Sequence, residues 1–61
     1  MKRRSLEKHL RHHGCSLKRE GSNHSIWHNP ENGSTVPVPR HSEIADILAR
    51  RICRELGIPP P

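Results

Sequence analysis

An α+β fold with the element order α-β-β-β-α is what the sequence predicts, on three observations. A closing segment carries apolar residues Ile44, Ile47, Leu48, Ile52 and Leu56 at i, i+3, i+4, i+8 and i+12, one stripe of a helix. A central region alternates around Trp27, the only aromatic residue, and is bounded by clusters of turn formers. A short leading segment places Leu6, Leu10 and His13 on one helical face. The economical two-layer solution is a three-stranded antiparallel meander with both helices packed on one face.

In chain order, Ser5 is placed to cap the first helix and Gly14 to stop it. His12 and His13 fall in its last turn, at the negative end of the helix dipole. Cys15–Glu20 alternates Cys15, Leu17 and Arg19 against Ser16, Lys18 and Glu20, the pattern of a half-buried strand. Gly21-Ser22-Asn23 is turn chemistry, and a second strand runs from about His24 to His28. Asn29-Pro30-Glu31-Asn32-Gly33 reads as a hairpin loop.

Ser34–Val38 is a third strand, and Pro37 and Pro39, having no amide hydrogen, lead it to be expected either at an edge or ending in an irregular segment. Ser42 is placed to cap the second helix, with Glu43 and Asp46 in its first turns. Gly57 ends that helix, and Pro59-Pro60-Pro61 forms a tail. On the second strand, burying Trp27 leaves His24 accessible, whereas burying Ile26 turns His24 inward. The first is the expectation taken here.

At 61 residues, 30% apolar, the chain is read as one domain, 1–61, at the low end of what folds unaided. So small a core leaves no room for an enclosed substrate pocket, and an open face suits a polymer better than a metabolite. The formal charge is +5, and residues 1–19 hold seven Lys or Arg against the single acid Glu7. Such a basic region is the electrostatic footprint of nucleic-acid binding.

Met1-Lys2-Arg3-Arg4 could open a signal peptide, but Leu6–His13 is not an apolar core for one. No stretch approaches a membrane span, and a cytoplasmic location without membrane contact is expected. Cys15 and Cys53 read as reduced core residues, with a single disulfide between them left open.

Six histidines raise the question of zinc. His24 and His28 share a face of a strand, but at roughly 3.3 Å per residue their backbones lie about 13 Å apart, too far for one ion. His9 and His13 have helical i, i+4 spacing without a clear third ligand. No metal site and no cofactor are expected. Ser22, Ser25 and Cys15 lack an acid with a recognisable orienting role for a histidine, which argues against acyl transfer.

RNA cleavage asks for less. The ribose 2′-hydroxyl is already held beside its phosphate, so the protein must supply a proton-transfer group and cations. His24 is the candidate general acid/base. Gly21 and Ser22 allow close backbone approach to a phosphate, and Lys18, Arg19 and Arg40 could bind it. Taken alone, these residues fit an ordinary exposed histidine after a turn equally well.

Four segments together carry a family resemblance: the leading helix ending in Gly14, GSNHSIWHNPENG from Gly21 to Gly33, VPRHSEI from Val38 to Ile44, and LARRICRELGI from Leu48 to Ile58. Their order and spacing resemble the HicA (YcfA-like) family of small toxins over nearly the whole chain. The resemblance implies a fold like that of double-stranded-RNA-binding domains (dsRBD-like). It also implies an mRNA interferase, an endoribonuclease that needs no metal, with His24 matching the family's catalytic histidine. The partners implied are mRNA and a HicB-type antitoxin that covers the histidine. Many members place His directly after Gly-Ser, whereas here Asn23 intervenes. Arg40 and His41 match the family's PRH segment, and RNA contact is inferred for both. A non-catalytic RNA-binding module and a protein-interaction domain are the competing readings.

Overall fold

The computed structural model describes residues 1–61 and has the order α1 (Arg3–His12), β1 (Ser16–Glu20), β2 (His24–Asn29), β3 (Ser34–Pro39) and α2 (Asp46–Leu56). The strands form an antiparallel sheet in the order β1-β2-β3. This is the dsRBD-like α+β arrangement. Ser25, Trp27 and Asn29 of β2 are buried, as are Val36 and Val38 of β3, while His24 is exposed. Period two therefore resolves with Trp27 inward. One core of eleven residues joins Leu6 and Leu10 of α1 to Trp27, Val36, Val38 and the inner side of α2.

Both helix starts differ from expectation. Lys2, not Ser5, is the N-cap of α1, and no side chain caps it. Lys2 pairs with Glu43 in an isolated bridge, and the Arg3 amide donates to the Ser42 carbonyl at 3.0 Å. The Ile44 amide likewise donates to the Met1 carbonyl at 2.7 Å. Residues 42–44 are thus occupied in pairing with the start of the chain, so α2 cannot begin at Ser42. It begins after Ala45, again without a side-chain cap. Tertiary contact replaces local capping at both ends.

That shift re-phases α2. Its buried residues are Ala49, Ile52, Cys53 and Leu56, while Ile47 is 73% exposed. Ile44 is buried from the preceding loop. The C-terminus behaves as the sequence predicts, with Gly57 left-handed at φ 73°. A Cβ there would lie 2.6 Å from Asn32 Nδ2. That amide donates to the Leu56 carbonyl at 3.1 Å, alongside the buried Asn29 amide at 2.8 Å. The β2–β3 hairpin thereby satisfies the end of α2.

Gly57→Ala is expected to cost more stability than Gly14→Ala. Both glycines have positive φ, and the left-handed conformation costs roughly 1–2 kcal/mol in an L-residue. Only Gly57 also displaces a capping side chain, since a Cβ at Gly14 would meet nothing within 4 Å. Urea denaturation of both variants checks the order; equal losses would contradict it.

β1 is exposed at all five positions, so the expected half-buried strand is corrected. The cause is its edge position together with a register shift between Leu17 and Arg19. Leu17 pairs with Trp27, but Arg19 pairs with Ile26. This bulge moves Arg19 away from the side of Leu17. At the opposite edge, Pro37 and Pro39 pair with Ile26 and His24. A prolyl nitrogen cannot donate, so the β3 donors to β2 come from the alternate residues, Val36 and Val38.

His13, at the C-cap of α1, has its ring 4.6 Å from His9 and 5.2 Å from His12, centroid to centroid. Desolvation first, then the two neighbouring imidazoles, hold His13 below the usual histidine value. Well above pH 7, His13 is neutral in both states and contributes nothing to a pH dependence. Below roughly pH 6.5 the unfolded chain takes up the proton more readily, so stability falls with pH. Denaturation midpoints at pH 7.5 and 5.0 are expected to differ less in His13→Gln than in wild type. An unchanged difference would remove His13 as a source.

Candidate active site

Residues directly opposite across antiparallel strands share a face. The helix-free face therefore carries three rows: Ser16, His28 and Thr35; Arg19, Ile26 and Pro37; and His24 with Pro39. Arg19 is a diagonal neighbour of His24, and such neighbours lie roughly 7–8 Å apart at the backbone, within reach of a long side chain. The bulge is what makes them neighbours. Without it, strict alternation leaves Arg19 on the side of Leu17 and the core. Lys18 is exposed within the bulge.

His24 follows a turn closed by the Gly21 amide, which donates to the His24 carbonyl at 2.7 Å. A Cβ on Gly21 would sit 3.0 Å from that oxygen, so the close approach favours glycine. The Gly21 amide is thus already committed. Of the turn amides, those of Ser22 and Asn23 are the ones that make no backbone hydrogen bond and could meet an anion. The His24 ring takes part in none of the side-chain hydrogen bonds or ion pairs.

Beside His24, a groove of about 280 Å³ follows the edge of β3 and reaches Leu48, Arg51 and Glu55 of α2. Arg51 donates to Glu55 at 3.0 Å. These two residues were missed in the sequence because nothing local joins α2 to a histidine two strands away. Their only sequence signal is helical: Leu48, Arg51 and Glu55 fall at i, i+3 and i+7.

Arg40 follows β3 and turns back toward the β1–β2 turn. It donates from Nη2 to the Ser22 carbonyl, and its Nη1 lies 3.5 Å from Glu20 Oε1. Ser25 Oγ donates to the same Glu20 oxygen at 2.5 Å. Exposed pairs of this kind contribute about 0–1 kcal/mol, so they shape the turn more than they hold the fold. His41 is exposed in the loop that follows and takes no part in this network. The basic residues do not make one patch: Arg11 of α1 stacks over Trp27, 5.0 Å from the ring centroid, on the helix-covered face. The exposed cations Arg4 and Lys8 go with that layer, leaving Lys18 and Arg19 for the sheet.

No group of three or more His, Cys, Asp or Glu residues is arranged to hold a metal. Cys15 and Cys53 are free, buried thiols, both pushed up by desolvation. No helix is long and apolar enough to cross a membrane.

The chain matches the family model described as HicA toxin of bacterial toxin-antitoxin over residues 3–58. It belongs to the HicA toxin family. The match takes in both helices, all three strands and the turn before His24. A HicA toxin acts within a toxin–antitoxin system, so an antitoxin partner follows from membership. Neither a curated protein nor a solved structure matches the chain.

Proposed function

We propose that this HicA toxin is an endoribonuclease, an mRNA interferase in which His24 serves as general acid/base and a HicB-type antitoxin neutralises it by covering that residue. The observation that carries the reading is an exposed, uncommitted imidazole at the end of a tight turn, diagonal to Arg19 on the helix-free face. An open sheet admits a polymer, and an imidazole is the side chain most often used to move protons near neutral pH.

In this mechanism His24 takes the proton of the ribose 2′-hydroxyl, or delivers one to the departing 5′-oxygen, and solvent water carries the other proton. The 2′-oxygen bonds to phosphorus as the bond to the 5′-oxygen breaks. Lys18, Arg19 and His41 face the phosphates, and the Ser22 amide, brought close by Gly21, is available to a phosphoryl oxygen. The reaction calls on no metal or small-molecule cofactor. An mRNA substrate implies action in the cytoplasm.

Single-stranded RNA incubated with the protein in EDTA is expected to yield fragments ending in 2′,3′-cyclic phosphate and 5′-hydroxyl, read by mass spectrometry. A 2′-deoxy nucleotide at the scissile position is expected to block that cut. Intact RNA, bound with a steep salt dependence, would instead identify a non-catalytic RNA-binding module.

A further inference from the structure

We infer that Arg40 is a positioning residue for His24, bracing the turn that presents the histidine rather than gripping RNA. The inference rests on His24 being the catalytic group. Arg40 directly follows Pro39, which is the β3 partner of His24. From there its two terminal nitrogens reach the turn itself and the residue that precedes it. One donates to the Ser22 carbonyl, inside the turn, and the other pairs with Glu20 Oε1, just before it. That oxygen also accepts from Ser25, the residue after His24. Glu20 and Ser25 are themselves partners across the strands.

The turn has little else to hold it. Gly21, Ser22 and Asn23 are small and exposed, and one backbone hydrogen bond, from Gly21 to His24, closes it. General acid/base transfer needs hydrogen-bond reach, and a displacement of about 1 Å can cost a factor of 10². A planar guanidinium meets two acceptors at once in fixed geometry, which a lysine ammonium does not reproduce.

The experiment compares wild type, Arg40→Ala, Arg40→Lys, Glu20→Gln and the double variant Arg40→Ala/Glu20→Gln on a fluorophore-quencher single-stranded oligoribonucleotide. Arg40→Ala and Glu20→Gln are each expected to lower kcat about tenfold to 10²-fold, with KM within about twofold. Arg40→Lys is expected to restore only part of the loss. The double variant is expected to be little worse than either single one, because both break the same brace.

In a His24→Ala background the RNA affinity and its salt slope are expected to be unchanged by Arg40→Ala. A raised KM, a salt slope smaller by about one, and tighter RNA binding in Glu20→Gln would together make Arg40 a phosphate contact and overturn the inference. Amide hydrogen exchange supplies a readout independent of activity. The Gly21 amide is expected to exchange faster in Arg40→Ala, by up to about fivefold. Unchanged protection overturns the brace. A wild type that cleaves no RNA defeats the reading of His24, and the Gly21 amide then still decides whether the brace exists.

Discussion

His24→Ala is expected to lower RNA cleavage by roughly 10²- to 10⁴-fold, the usual worth of one general acid/base. That corresponds to about 3–5 kcal/mol of barrier. The same substitution is expected to leave folding stability within about 0.5 kcal/mol, because the side chain is exposed and takes part in no hydrogen bond. The two readouts separate, which is what distinguishes a catalytic residue from a structural one. Lys18 and Arg19 remain in place, so RNA affinity is expected to persist in the variant. Cleavage assays, thermal melts and a binding titration at one fixed salt concentration check all three. A variant that cleaves at the wild-type rate removes His24 from the mechanism.

Trp27→Ala has the opposite signature: loss of the fold, and activity only as a consequence. Trp27 is 1% exposed and is the largest of the fully buried side chains. Truncating a buried tryptophan costs about 3–5 kcal/mol. A chain of this length has a total stability of roughly 3–9 kcal/mol at typical values per residue. The variant is therefore expected to be largely unfolded at 25 °C or to melt far below wild type, as followed by circular dichroism.

Trp27→Phe is expected to be much milder. It gives up volume, but it also removes an indole Nε1 that is buried without a hydrogen-bond partner. Leaving such a donor unpaired costs about 1–3 kcal/mol, which offsets part of the lost packing. If Trp27→Phe proves as damaging as Trp27→Ala, the shape of the indole and its contact with Arg11 matter more than this balance.

The element order, the inward Trp27 and the glycine at the end of α2 were legible in the sequence because each is written locally. Period two around Trp27 chooses a face, and Gly57 marks a left-handed position. The bulge at Lys18 was not legible, since a bulge is a relation between β1 and its partner. Reading β1 alone, Arg19 falls beside Leu17; reading it against β2, Arg19 falls beside His24. The helix starts were obscured for a similar reason. Ser5 and Ser42 have the chemistry of caps, but contacts between residues 1–3 and 42–44 decide where the helices begin.

Within the site, His24 and its turn stood out, and the cations could be named from the sequence only as a set, without their positions. Arg40 reads as one more positive charge until its partners, Glu20 and Ser22, are seen twenty and eighteen positions away. Gly21 reads as a place for a phosphate to approach, yet its amide is taken by His24.

The prolines of β3 also govern how copies of this protein meet one another. A second molecule laid along that edge would find Thr35 as its one outward amide, because Pro37 and Pro39 have none to offer. Sheet growth past β3 is therefore starved of donors. The remaining edge is β1, where a bulge breaks the regular spacing and Lys18 and Arg19 would face a second copy's like charges. The two sheet edges therefore give a neighbouring copy little to template on.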